Sequence, residues 1–300
     1  MQRIRPKSKI WLALNLSISF FIPFYGLVAR GADLNYGSAH LLMGNPSSAT
    51  DSTQNPSNYL MLKSQYALSY NRERNIPNWA SWQLNDRWLG EAKRQDDFRL
   101  DPALPVGWYR VRPSDYAKSG FDKGHVVSSE DRGRSDLDNS STFLMTNMVP
   151  QAPDNNRVVW SQFEAACRNL VKQGKELYIV AGSSGFGGIG SNGERSVLNN
   201  NVVVPATLWK VVLVLERPGT QPKDFTVSTS RTIAIVVPNQ QGVKSKPWRE
   251  YLTSVDEVEK LTGYDFFRNV PEPVQKSIEA TVDRQAMTSL PKYNGMEIAM

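Results

Sequence analysis

Asp122-Lys123-Gly124-His125, followed by Asp131-Arg132, Phe143-Leu144-Met145-Thr146-Asn147, Pro150-Gln151 and Asp154-Asn155-Asn156-Arg157 through Trp160 to Glu164, is the stretch from which the fold is read. Its first four residues carry the most chemistry. The chain has only two histidines, and the other, His40, sits in a Ser, Asn and Gly-rich entry segment. Imidazole chemistry is therefore expected to run through His125, with Gly124 allowing close backbone approach beside it. The histidine count excludes a His-Glu-x-x-His metalloprotease helix and any zinc finger that pairs histidines with cysteines. A nuclease with one imidazole as base and a second as acid would have to recruit His40 from a segment expected to be mobile. What remains is a single base helped by something else, for which a metal ion is the usual helper.

Outward from this stretch, period-two patterns predict strands at Tyr59 to Leu62, Tyr66 to Tyr70, Trp79 to Leu84, Ser141 to Thr146, Glu176 to Ala181, Leu208 to Leu215 and Thr232 to Val237. Helices are predicted for Asn156 to Lys172, Ser254 to Thr262 and Pro273 to Val282. In the first of these, Val159, Phe163, Ala166, Cys167 and Leu170 form one apolar stripe, and Gly174 supplies a stop. Strands and helices do not alternate regularly, so the fold class is α+β rather than doubly wound.

The amino terminus has the order of a secretory signal: Arg3, Arg5, Lys7 and Lys9, an uncharged run from Ile10 to Ala29, then a polar stretch. The run is long enough to span a bilayer, and an uncleaved anchor stays open. Residues 1–30 hold five basic side chains and no acidic one, so all but one of the net +6 charges lie there. Global charge thus gives no argument for a nucleic-acid partner. The expected organisation is a signal peptide at 1–29, a linker or arm at 30–57, the folded domain at 58–285 and a tail at 286–300. The expected location is secreted or periplasmic, with no stable membrane association once the signal is cleaved. Cys167 is the only cysteine, which excludes an intramolecular disulfide and reads as a buried thiol.

Two further patterns need weighing. Gly185-Phe186-Gly187-Gly188-Ile189-Gly190 fits G-x-G-x-x-G, but no helix opens after it, so it reads as a loop rather than a dinucleotide site. Asn156, Trp160, Glu164 and Arg168 recur every four residues along one helix flank, drifting about 40° per step. Asn156 and Glu164 would lie about 12 Å apart along an α-helix, too far to bind one ion directly together. Asn156 could ligate a hard cation while Glu164 reaches its water shell. From spacing alone, an exposed flank with a Glu164 to Arg168 pair is the favoured reading.

The ordered motifs quoted above resemble the DNA/RNA non-specific endonuclease family with its D-R-G-H motif, over about His40 to Phe267. That resemblance implies a ββα-metal fold with a central antiparallel sheet flanked by helices. It also implies metal-dependent cleavage of single- and double-stranded DNA and RNA to 5′-phosphorylated products. By resemblance, His125 would be the general base, Asn156 the direct ligand of Mg²⁺ or Mn²⁺, and Glu164 a holder of metal-bound water. Arg94 matches a transition-state arginine, Arg168 another arginine of the cleft, and Asn147 takes a supporting role. A protein inhibitor is a further candidate partner.

Lys123 stands where the motif has arginine. It keeps the charge but loses the planar fork that grips two phosphate oxygens. The base and ligand positions are intact, so altered rate or substrate preference is expected rather than loss. The alternative is a catalytically weakened or silent nucleic-acid-binding homologue. A phosphodiesterase for another substrate stays open beside it.

Overall fold

The structure, a computed structural model, describes residues 38–283. The signal-peptide reading of 1–29 and the tail at 286–300 lie outside the described residues. Seven strands form one sheet in the order β1 (Tyr59–Leu62), β2 (Ala67–Asn71), β3 (Ile76–Leu84), β6 (Glu176–Ser184), β9 (Thr207–Leu215), β10 (Ser230–Pro238) and β11 (Leu252–Thr253). Every neighbouring pair is antiparallel. Two small hairpins stand apart from it: β4 (Asp122–His125) with β5 (Met148–Gln151), and β7 (Gly188–Gly190) with β8 (Gly193–Arg195).

The central strands are apolar on both faces because both faces are covered. Along β9, Leu208, Val212 and Val214 enter one core, while Trp209, Val211, Leu213 and Leu215 enter the other. The first core is closed by α2 (Ser161–Lys172), which contributes Phe163, Ala166, Cys167 and Leu170, and by Met148 and Val149 of β5. The second is closed by α3 (Val255–Thr262) and α4 (Glu272–Glu279) through Val255, Val258 and Ile278. Ser254 caps α3 by accepting from the Glu257 amide, and Gly263 ends it at φ 73°. The fold is thus α+β, an antiparallel sheet between helices.

Two expectations are corrected. Ser141 to Thr146 is not a strand: α1 (Asp136–Ser141) runs into a turn and then a 3-10 turn at Met145–Asn147. The hydroxyls of Ser141 and Thr142 bond back to the carbonyls of Asp138 and Asn139, which holds the backbone in turns, while Phe143 packs edge-on against aromatic neighbours. The described part of the expected linker, 38–57, is packed against the sheet. Leu41, Met43 and Ala49 join the second core, and Thr50 bridges to Tyr59.

His40 is the clearest case. It is 4% exposed, its Nε2 lies 3.0 Å from the Ser64 carbonyl, and its Nδ1 lies 3.3 Å from the Gln83 amide. One nitrogen donates and the other accepts, which only a neutral imidazole can do. Burial, and then the Arg132 cation, lower its pKa to about 4. Below pH 6.5 the unfolded chain takes up a proton that the folded one refuses, so this contribution is complete above pH 6.5 and is lost as pH falls towards 4. Urea unfolding at pH 7 and pH 4.5 should show wild type losing about 2 kcal/mol more than His40→Gln. Equal acid losses in the two proteins would remove His40 from the account.

Candidate active site

Gly124 is demanded by the hairpin. It faces Val149 across the β4–β5 ladder, and a Cβ there would sit 2.1 Å from Gln151 Oε1. Gln151 in turn donates through Nε2 to Asn155 Oδ1 at 2.8 Å, and Asn155 donates to the Pro238 carbonyl at 2.9 Å. The hairpin is thereby tied to the turn that carries Asn156 and to strand β10. Gly124→Ala should cost about 1 to 3 kcal/mol of stability by overpacking. Because Gln151 must move, it should also lower turnover in the surviving folded protein. Unfolding and single-turnover measurements on one preparation separate the two effects, and wild-type values in both would show that Gln151 yields freely.

The chain leaves His125 under the control of Asn147. That side chain, fully buried, accepts from the Val127 amide at 2.9 Å and donates to the Val127 and Thr142 carbonyls at 3.0 and 2.9 Å. The His125 ring packs edge-on against Phe143 at 4.7 Å between centroids and beside Phe98 at 5.5 Å. Nε2 is enclosed without a hydrogen-bond partner, which leaves Nδ1 as the nitrogen through which the ring meets the cleft it lines. Burial, then the cations of Arg94 and Lys123, lower its pKa to about 3. The ring is therefore neutral at neutral pH, with Nδ1 free to accept a hydrogen bond.

Asn156 is delivered by a turn that sequence periodicity did not reveal. Residues Asn155–Trp160 form a π-helix that leads directly into α2. Such widened turns concentrate at functional sites. The Asn156 Nδ2 donates to Asp122 Oδ2 at 3.0 Å, and Arg157 grips both oxygens of the same carboxylate at 2.8 and 2.7 Å. With its nitrogen committed to Asp122, the amide oxygen is the atom left to meet a cation. Glu164, on the first turn of α2, accepts through Oε1 from Lys210 Nζ at 3.2 Å. Burial raises its carboxyl pKa, and Lys210 is the main opposing influence.

Arg94 lies over the Phe143 ring at 5.0 Å, bonds Asp96 at 2.7 Å and donates to Ser129 Oγ at 3.1 Å. The Lys123 ammonium lies 4.6 Å above the Phe98 ring. Arg94, Lys123, His125, Asn156 and Glu164 thus line one cleft of about 180 Å³. Arg168 does not line it. One helical turn past Glu164, it is held by the buried Asp131 at 3.0 Å and by Glu130, and so braces the segment after His125 from the side. A larger recess of about 620 Å³ near Asn85 and Glu176 contains none of these groups, so chemistry rather than size identifies the site.

The donor set suits a hard cation: one amide oxygen and one carboxylate, with the remaining positions available to water and phosphate. Among the described residues a close trio of acidic side chains occurs elsewhere, at Asp256, Glu259 and Glu279 on α3 and α4. That trio belongs to the helices that close the second core, across the sheet from the cleft. Asp122 and Lys210 are the supporting residues that sequence reading missed. Lys210 had a visible signal, since it interrupts the otherwise apolar run Leu208-Trp209-Lys210-Val211-Val212-Leu213-Val214-Leu215. Asp122 stood in the quoted Asp122-Lys123-Gly124-His125 motif, but its role had no signal, because Asn156 and Arg157 are brought to it by the fold.

Residues 43–273 match the family model for DNA/RNA non-specific endonuclease. A nuclease from Nostoc sp. is 53% identical over 82% of this chain and 86% of its own length. The mitochondrial nuclease EXOG of Danio rerio is 32% identical over 67% of this chain, a match that spans 59% of that protein. Among solved structures, the EndoG/EndoGI complex matches with a TM-score of 0.64 and 24% identity, covering 81% of this chain and 94% of that one.

Proposed function

This chain belongs to the DNA/RNA non-specific endonuclease family, a group of divalent-metal-dependent hydrolases, and from that premise we propose its substrates, products and chemistry. It hydrolyses phosphodiester bonds in single- and double-stranded DNA and RNA, leaving 5′-phosphorylated ends, with one Mg²⁺ or Mn²⁺. The observation that carries this reading is the convergence of a neutral imidazole, an amide oxygen, a carboxylate and two cations on one small cleft.

His125 accepts a proton from water and so generates the nucleophile that attacks phosphorus. Phe98 and Phe143 hold the ring in place for that transfer. Arg94 and Lys123 meet the phosphate oxygens and favour the added negative charge of the transition state. Asn156, oriented by Asp122, would ligate the cation, and Glu164 would hold one of its waters. When bound, the cation supplies Lewis-acid neutralisation of the departing 3′ oxygen. No second histidine is needed, which agrees with His40 serving the fold instead. Because water rather than a ribose hydroxyl attacks, either sugar is accepted. Recognition through phosphates makes binding weakly selective and salt-sensitive.

Arg168 supports the reading indirectly, through the segment it braces. Secretion or periplasmic release follows from the signal-like order of residues 1–29, and sequencing the mature amino terminus tests it. An inhibitor protein is a further part of the proposal, motivated by the fold relative EndoG, which was solved with EndoGI. Plasmid DNA and RNA incubated with the purified protein should both be cut with Mg²⁺ and both survive with chelator. Persistent binding without cleavage of either would favour the silent homologue suggested by Lys123, and cleavage that continues in chelator would end the metal-dependent scheme.

A further inference from the structure

Lys210 is 1% exposed in the middle of β9, on the face that otherwise sends Leu208, Val212 and Val214 into the core beneath α2. An ammonium in such surroundings is costly unless it is paired. Its carboxylate partner is Glu164, through Oε1 at 3.2 Å. Two indole faces complete its enclosure, Trp160 at 4.4 Å and Trp82 at 5.4 Å.

Each wall of this enclosure is fixed. Lys210 is paired on both sides, with Ala181 of β6 and Ile235 of β10. Trp82 donates through its ring nitrogen to Asp131 at 3.0 Å, and Trp160 is 2% exposed at the end of the π-helical turn. The cation therefore stands at a set place behind Glu164, with the cleft on the other side. Oε2 of Glu164 has no hydrogen-bond partner among the described residues and is the oxygen available to the cleft. A buried ion pair is weak evidence of a stability role, since well-packed apolar residues of the same volume often serve as well or better. Its place at the wall of the site gives it a different use.

We propose that Lys210 is a positioning residue for the metal site: held between two tryptophans, it fixes Glu164 by one oxygen so that the other can hold a water of the divalent cation. The inference rests on the proposed role of Glu164. Partners one step removed from a metal's ligands commonly matter by about 10 to 100-fold in affinity or activity.

The test compares full-length wild type, Lys210→Met, Glu164→Gln and the double variant. Mn²⁺ binding is measured by calorimetry without nucleic acid, and kcat and KM on a short DNA duplex. Lys210→Met should weaken Mn²⁺ binding and lower kcat, each by about 10 to 100-fold, while KM for the duplex stays near wild type. The double variant should be no worse than Glu164→Gln alone, because the lysine acts through that carboxylate. Wild-type Mn²⁺ affinity in Lys210→Met beside an impaired Glu164→Gln overturns the Lys210 inference by itself. Losses that multiply in the double variant do the same. Wild-type behaviour of Glu164→Gln removes the water-holding role and the inference with it. Should Lys210→Met fail to fold with its unpaired buried carboxylate, the comparison of Glu164→Gln with the double variant decides: the double variant leaves neither charge unpaired, and the glutamine keeps an oxygen for the Lys210 ammonium, which the two indole faces still enclose. Equal values there support the proposal, and a further tenfold loss overturns it.

Discussion

His125→Ala is expected to fold normally and to lose on the order of 10² to 10⁴ in turnover, the range a positioned general base contributes. The fold should survive because the ring is neutral and its Nε2 has no hydrogen-bond partner to leave stranded. What is removed is packing against Phe98 and Phe143, and the space opens onto the cleft rather than into a closed core. The chain around the site is held by Asn147, which the substitution does not touch. Circular dichroism establishes folding, and plasmid nicking in excess Mg²⁺ reads the chemistry. Cleavage within a few-fold of wild type would remove His125 as the base. His40 cannot substitute for it, since its two nitrogens are occupied by the Ser64 carbonyl and the Gln83 amide.

The second large effect is expected for Asn156→Ala, with turnover falling by about 10² or more at a fixed metal concentration, because even groups one step removed from a ligand are worth about 10 to 100-fold. Excess cation should recover part of that loss, since Glu164 is untouched. Asp122 keeps both contacts from Arg157, so the π-helical turn and its carboxylate anchor remain satisfied. A Mn²⁺ titration of cleavage is the measurement. The half-saturating concentration should move up sharply, and an unmoved titration curve would take Asn156 out of the ligand shell.

Much of this was readable from the chain. The strands at Tyr59–Leu62, Glu176–Ser184, Thr207–Leu215 and Ser230–Pro238 follow runs of apolar and β-branched residues whose period is local. Helix α3 was marked by Ser254 before it and Gly263 after it. The failures share a cause. Ser141 to Thr146 has strand composition, yet hydroxyl back-bonding and the aromatic packing of Phe143 turn it into the loop that walls His125. Residues 38–57 have linker composition, yet Leu41, Met43 and Ala49 find a core formed by residues far along the chain.

The candidate site divides the same way. Motif order alone nominated His125, Asn156, Glu164, Arg94 and Lys123, and these five line one cleft. Arg168 followed the same four-residue rhythm but lies against Asp131, because a buried acid beside the helix attracts it more strongly than an open cleft. The rhythm itself assumed an unbroken α-helix, whereas the π-helical turn at Asn155–Trp160 widens the first part.

The amino-acid order by itself determined the long strands of the sheet, the helices after Ser254 and Ser161, and which one histidine is free for chemistry, since those depend on local period, capping residues and simple counting. Only the tertiary structure decided what state each group is in. The two imidazoles differ because one is consumed by backbone partners and the other is enclosed by two phenyl rings with two cations nearby. Asn156 presents its oxygen because Asp122, 34 positions earlier, takes its nitrogen. Glu164 is fixed because a lysine 46 positions later reaches it through the core. Hydrogen bonds and burial act over a few ångströms in space, and no separation along the chain encodes which residues will come that close.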